Sequence, residues 1–128
     1  MIVVDTNVMV YLLTGSGPGE AAADLLMRDP EWAAPPILLS ELRNVAAGLV
    51  RAGRIEPPDA VGICHDGEVI LGDRIASVPS DEVLEVALER DLSAYDAEFV
   101  VLARQLGVPL VTGDRGILEA EPNLATAL

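Results

Sequence analysis

Two stretches decide how this chain folds: Ile2-Val3-Val4-Asp5 near its start and Leu110-Val111-Thr112-Gly113-Asp114 near its end. Each is a short apolar run rich in β-branched residues that closes on an aspartate. A continuous apolar run of three or four residues suits a strand buried on both faces, as in a parallel sheet. The residues between them alternate in kind. Asn7–Leu13 reads as a helix stopping near Gly15-Ser16-Gly17, and Pro18 with Glu20 opens a second, in which Ala22, Leu25 and Leu26 recur at helical spacing. Trp32-Ala33-Ala34 is a short strand before Pro35-Pro36, and a long helix covers Ile37–Ala52. Pro57-Pro58 starts a helix ending near Leu71, Ile75–Val78 reads as a strand, and Ser80 caps a helix that runs to Arg90. Ser93 caps the next, Ala94–Leu106, which stops at Gly107. A last helical turn and an edge strand near Leu124–Thr126 follow the Leu110 strand. Strands alternating with helices predict an α/β fold with a mainly parallel central sheet covered on both faces. In such sheets ligands bind beyond the C-terminal ends of the strands, where Asp5 and Asp114 stand.

At 128 residues the chain is expected to be one domain, 1–128, with a core that needs no staple. Hydrophobic residues at 51% and charged residues at 23% exclude disorder by composition. One cysteine excludes a disulfide framework and a cysteine-based zinc site. No apolar run is long enough to span a bilayer, and Asp5 interrupts the start of any signal peptide, so a soluble, cytoplasmic protein with no membrane association is expected. The charge is lopsided: 8 basic residues, all arginine, against 21 acidic ones, for a net charge of −13. A field of that sign repels a phosphate backbone. The absence of lysine removes Schiff-base chemistry and lysine-assisted phosphate binding.

Two further acids lie where acids are rare. On the Ile37–Ala52 helix, Glu41 shares a face with Ile37, Leu38, Asn44, Val45, Gly48 and Ala52, which places it on the core-facing stripe. Asp96 has apolar neighbours at three, four and seven residues (Phe99, Val100, Ala103), while Glu98 points outward. Each acid alone has an ordinary reading. Asp5 and Asp114 would cap the helices they precede. Ser93 and Asp96 would form a capping box, and Glu41 would snorkel or pair with an arginine. Convergence of all four is a single cause for four oddities. Two like charges ~5 Å apart cost about 3 kcal/mol at an effective dielectric near 20, so the cluster must keep protons or bind a cation. Oxygen donors without histidine or cysteine suit Mg²⁺ or Mn²⁺ better than zinc.

These residues carry a resemblance. Val4-Asp5-Thr6-Asn7 after a first strand, Ser40-Glu41-Leu42 inside a helix, Leu92-Ser93-Ala94-Tyr95-Asp96-Ala97 opening a late helix and Thr112-Gly113-Asp114 after a strand occur in the order seen in PIN-domain ribonucleases. In length and order the chain resembles the VapC toxins of type II toxin–antitoxin modules. The resemblance spans essentially the whole chain and implies a PIN-like three-layer α/β/α fold. It implies an endoribonuclease dependent on Mg²⁺ or Mn²⁺ that cuts single-stranded or looped RNA. Asp5, Glu41, Asp96 and Asp114 would be the catalytic quartet, Asp5, Asp96 and Asp114 the metal ligands, and Asn7 and Thr112 supporting polar residues. Arg115, next to Asp114, is the candidate phosphate contact, or else a charge balancing Asp114. Many family members carry a further acid two residues after this aspartate and then an aromatic; here Gly116 and Ile117 stand there, which favours one metal over two. The chemistry needs an activated water, charge relief on the phosphate and a stabilised leaving oxygen, all of which carboxylate-held metal supplies. Products with 5′-phosphate and 3′-hydroxyl ends are expected; 2′,3′-cyclic phosphates would instead indicate attack by the RNA 2′-OH.

Other reactive residues read as structural. His65 falls away from the quartet, Cys64 sits with Ala60, Ile63 and Gly67 on an apolar helical face, and Trp32 and Tyr11 read as core. With aromatics at 3%, stacking is not expected to carry RNA binding. Arg43, Arg51 and Arg54 read as a solvated face. Aspartyl-phosphate enzymes also place an aspartate after a first strand, but they use a lysine that is missing here. A non-catalytic PIN-like scaffold and a PIN nuclease of RNA processing are the remaining alternatives. Apolar surface on so small a chain favours a homodimer, and the acidic surface favours a basic peptide partner. A VapB-like antitoxin is the partner the resemblance implies.

Overall fold

Strand β1 (Ile2–Val4) is buried along its whole length because it occupies the middle of the sheet. The computed structural model covers residues 1–128. On one side β1 pairs with β2 (Trp32–Ala33) and on the other with β3 (Leu110–Thr112), which in turn pairs with β4 (Ala125–Ala127). All pairings are parallel, in the order β2-β1-β3-β4. Parallel neighbours require crossovers, and every crossover here is helical. Helices α1 (Thr6–Thr14) and α2 (Gly19–Arg28) lead from β1 to β2. Helices α3 (Ile37–Arg51), α4 (Pro57–Leu71), α5 (Ser80–Arg90) and α6 (Ala94–Leu106) lead to β3, and α7 (Arg115–Ala120) leads to β4. Helix α6 packs on β1 and β3 and against α5, whereas α1 and α4 pack on β3 and β2 and against each other and α3. The result is the three-layer α/β/α arrangement.

The core runs through both helix layers and includes Trp32, Met9, Leu38, Leu42 and Leu102, none more than 1% exposed. The α3–α4 crossing depends on Gly67, where a Cβ would meet Leu42 Cδ2 at 2.7 Å. At the far side Glu121, buried at the end of α7, accepts a hydrogen bond from Arg104 of α6 and lies 3.5 Å from Arg90 of α5. No helix is long and apolar enough to cross a membrane.

Two expectations fail locally. Ile75–Val78 is not a strand: only Ile75 bridges the sheet, opposite Ala34, with Ala76 N–H donating to Ala34 C=O at 3.2 Å. The partner strand runs straight into Pro35-Pro36, which have no N–H to donate, so the ladder ends after one rung. Ser80 does not cap α5: Pro79 holds that place and Ser80 is the first helical residue, with no capping bond.

Candidate active site

The C-terminal ends of β1 and β3 lie side by side, so the residues just beyond them meet. Asp5 caps α1 by accepting the Val8 N–H on Oδ1 at 3.0 Å. Its Oδ2 receives the Thr112 hydroxyl, and the nearby Gly113 N–H also favours its charged form. Thr112 Oγ1 in turn accepts the Asp114 N–H at 2.9 Å, and Asp114 Oδ1 caps α7 through Ile117 N–H at 2.9 Å. Both aspartates are therefore helix caps as well as strand-end acids, since one oxygen performs each cap. Thr112 is the hinge between them: it is fully buried and touches both.

Beyond these strand ends opens a cleft of about 410 Å³ lined by twelve residues of α1, α3, α6 and the β3–α7 corner, among them Asp5, Glu41, Asp96 and Asp114. The four predicted acids are thus brought together from four places in the chain. Asn7, exposed, lines the same cleft. Arg115 does not: it stands exposed at the first position of α7 and forms no ion pair with Asp114. Beside it, a Cβ at Gly116 would lie 3.1 Å from Asp114 Oδ1, so the missing side chain leaves that carboxylate uncrowded.

Sequence periodicity misplaced two acids. The buried stripe of α3 is Leu38, Leu42 and Ala46, and Glu41 lies half-buried beside it, on the face Ile37-Ser40-Glu41-Asn44-Val45 that walls the cleft. Glu98 is half-buried instead of outward, close enough to Glu41 to feel its charge. The Ser93–Asp96 box is half formed: Ser93 Oγ accepts the Asp96 N–H at 3.0 Å, while the reciprocal bond is missing and the Asp96 carboxylate faces the cleft. Thr6, absent from the predicted set, is buried at the first position of α1 and donates its hydroxyl to Glu41 Oε1 at 2.7 Å. The signal that marks it in the sequence is its place in the Val4-Asp5-Thr6-Asn7 stretch. Tyr95 was also missed as a cleft residue.

No arginine or histidine lines this cleft. Burial raises the Asp5 carboxyl above its ordinary 3.8, against the opposing donors Thr112, Val8 and Gly113, and the Asp114 charge adds to the rise. Burial and then the Asp114 charge raise Asp96, with smaller contributions from Glu41 and Asp5 against the Ser93 hydroxyl. Burial and Glu41 raise Glu98. Such a set of oxygen donors fits a hard divalent cation, whose charge would offset these repulsions. No three carboxylates are gathered tightly enough to ligate one ion directly.

The raised carboxyls bind protons more tightly in the folded protein than in the unfolded chain. Their stabilisation is complete below the ordinary carboxylate range and is lost as pH rises through the raised values. Melting temperatures of EDTA-treated protein should therefore fall across that interval, and Asp5→Asn should flatten the fall. Stepped-pH thermal melts check this; identical slopes for both proteins would count against a charged, crowded cleft.

The PIN domain family model matches residues 2–121. Ribonuclease VapC1 of Mycobacterium tuberculosis is 29% identical over 122 residues, covering 95% of this chain and 91% of that protein. Exonuclease VapC9 of Pyrobaculum aerophilum is 52% identical over 40 residues, a match spanning 31% of this chain and 30% of that one. Among solved structures, PAE2754 from Pyrobaculum aerophilum superposes with a TM-score of 0.80 at 26% identity, covering 98% of this chain and 87% of its own. A toxin–antitoxin complex from Klebsiella pneumoniae shares the fold, with a TM-score of 0.68 at 16% identity and coverage of 100% and 96%. With the family model spanning nearly the whole sheet and every wall of the acidic cleft, the chain belongs to the PIN domain family.

Proposed function

We infer that this protein is a metal-dependent endoribonuclease and the toxin of a VapBC-type pair. The observation that carries the reading is the meeting of Asp5, Glu41, Asp96 and Asp114 in one cleft that no arginine or histidine lines. Membership of the PIN family and whole-length similarity to a protein named a VapC ribonuclease support the nuclease. The toxin–antitoxin assignment draws on the names of those relatives and on the structural neighbours from such complexes.

Asp5, Asp96 and Asp114 would hold Mg²⁺ or Mn²⁺ partly through the ion's own waters, with Glu41 completing the negative field. When bound, the ion supplies charge relief to the phosphodiester and lowers the pKa of water. The chain's own part is placement. Thr112 and Val8 fix the two Asp5 oxygens, Thr6 fixes Glu41, and Ile117 fixes one Asp114 oxygen. Ile37, Val45 and Phe99 make the apolar part of the cleft wall. In the partner role, a basic VapB-like peptide would be drawn by the same negative field, and its complex should loosen with salt.

The test is cleavage of a mixed-sequence single-stranded RNA pool. Cutting is expected with Mg²⁺ or Mn²⁺, is expected to stop with EDTA, and should leave 5′-phosphate and 3′-hydroxyl ends. Cutting that persists in EDTA would refute metal dependence, and cyclic phosphate ends would refute water as the nucleophile. A protein that cuts no RNA but binds it would favour the scaffold reading.

A further inference from the structure

The chain has four aromatic residues, and three are committed to the interior: Trp32 and Phe99 are 0% and 2% exposed, and Tyr11 is partly buried against the core. The fourth, Tyr95, is 62% exposed and lines the acidic cleft, one residue before Asp96 in the first turn of α6. Its hydroxyl makes no hydrogen bond within the chain, so nothing in the fold accounts for an aromatic ring held there.

A substrate entering this cleft meets an unusual problem. Nucleic-acid sites ordinarily hold phosphates with arginine and lysine. Here no basic residue lines the cleft, four carboxylates do, and Arg115, the nearest in sequence, lies outside. A cation held by these carboxylates would offset charge at one phosphate, and for the flanking nucleotides the cleft offers only the uncharged polar groups of Asn7, Ser40 and Asn44 and the ring of Tyr95. Base stacking on an aromatic face needs no positive charge and is tolerant of sequence. Only an unstacked base can use it, so stacking also selects for unpaired RNA.

Resting on the nuclease reading above, we propose that Tyr95 is the stacking platform for an unpaired base next to the scissile phosphate. Its ring then does for the neighbouring nucleotide what a basic residue does elsewhere. The recognised substrate is single-stranded at that position, with little preference for which base stands there.

The experiment takes an RNA oligomer that the wild-type protein cuts and compares Tyr95→Phe and Tyr95→Ala by kcat/KM. The same oligomer is remade with an abasic ribose at each nucleotide flanking the cut. The Ala variant should lose about 5- to 150-fold, the range for one stacked base, and the Phe variant should stay near wild type. Removing the base at one flanking position should cost the wild type a similar factor and cost Tyr95→Ala nothing further. A Phe variant as poor as Ala, or losses that multiply at every abasic position, would overturn the proposal while leaving the nuclease reading intact. A loss traced to weaker self-association or to a failed peptide complex, with RNA kinetics unchanged, would reassign the ring to a protein interface. Wild-type protein that cuts and binds no RNA would overturn both.

Discussion

Asp5→Asn should abolish RNA cleavage, by at least about a hundredfold, in a protein that stays folded. Residues that only orient metal ligands cost about 10–100-fold when changed, and Asp5 is placed in the cleft itself. The substitution is nearly isosteric. The amide oxygen still accepts the Val8 N–H, so the α1 cap survives, and the Thr112 hydroxyl can rotate to accept from the new amide. What disappears is a buried negative charge whose cost is visible in its raised pKa. The variant should therefore melt no lower than the wild type in EDTA and should gain less from Mg²⁺. Gel assays of cleavage and paired thermal melts decide the matter. An Asp5→Asn protein that cuts like wild type would remove Asp5 from the machinery, and one that unfolds would make its role structural.

Trp32→Ala should have the opposite profile: an intact set of carboxylates in a protein that barely folds. The indole is fully buried on β2, and removing a buried tryptophan costs about 3–5 kcal/mol, against a total stability of about 5–15 kcal/mol for domains in general. Arg74 adds to the site's rigidity, since its Nε donates to Trp32 C=O at 3.1 Å and its guanidinium also reaches Ile70 C=O at 2.8 Å. The Trp32 Nε1 is buried without a partner. Trp32→Phe keeps most of the packing and removes that unpaired donor, so it should cost clearly less than Ala. Urea midpoints at constant slope measure both. A Phe variant as unstable as Ala would mean that the Nε1 hydrogen finds a buried water.

Much of this was legible from the chain itself, for a physical reason. Short β-branched runs ending in aspartate declare both a strand and the direction it points, so Asp5 and Asp114 could be placed at one sheet edge. The alternation of elements fixed the sheet as parallel, and Gly107 and Pro57 marked helix ends as expected. Legibility failed where position depends on what packs alongside. The buried stripe of α3 is the one that meets Gly67 and α4, which no helical wheel of α3 alone contains, and so Glu41, expected in the acidic quartet, lies beside the core-facing stripe and not on it. Glu98 was read as outward because its nearest threat, Glu41, lies on another helix. Thr6 falls outside the expected set because its bond to Glu41 spans 35 positions. Ile75–Val78 has strand composition, but its pairing was ended by prolines on the partner, far away in sequence.

The bond from Thr112 to Asp5 joins residues 107 positions apart. Proteins are made from the N-terminus onward, and contacts so distant cannot form until both ends exist. A growing chain emerging from the ribosome carries Asp5 and Glu41 almost from the outset, yet β1 has no β3 beside it and Asp5 lacks both Thr112 and Gly113. The cleft cannot close around its fourth acid until Asp114 has been made and threaded alongside. The order of synthesis therefore delays the site itself: no growing chain that stops short of Asp114 carries all four acids of the cleft.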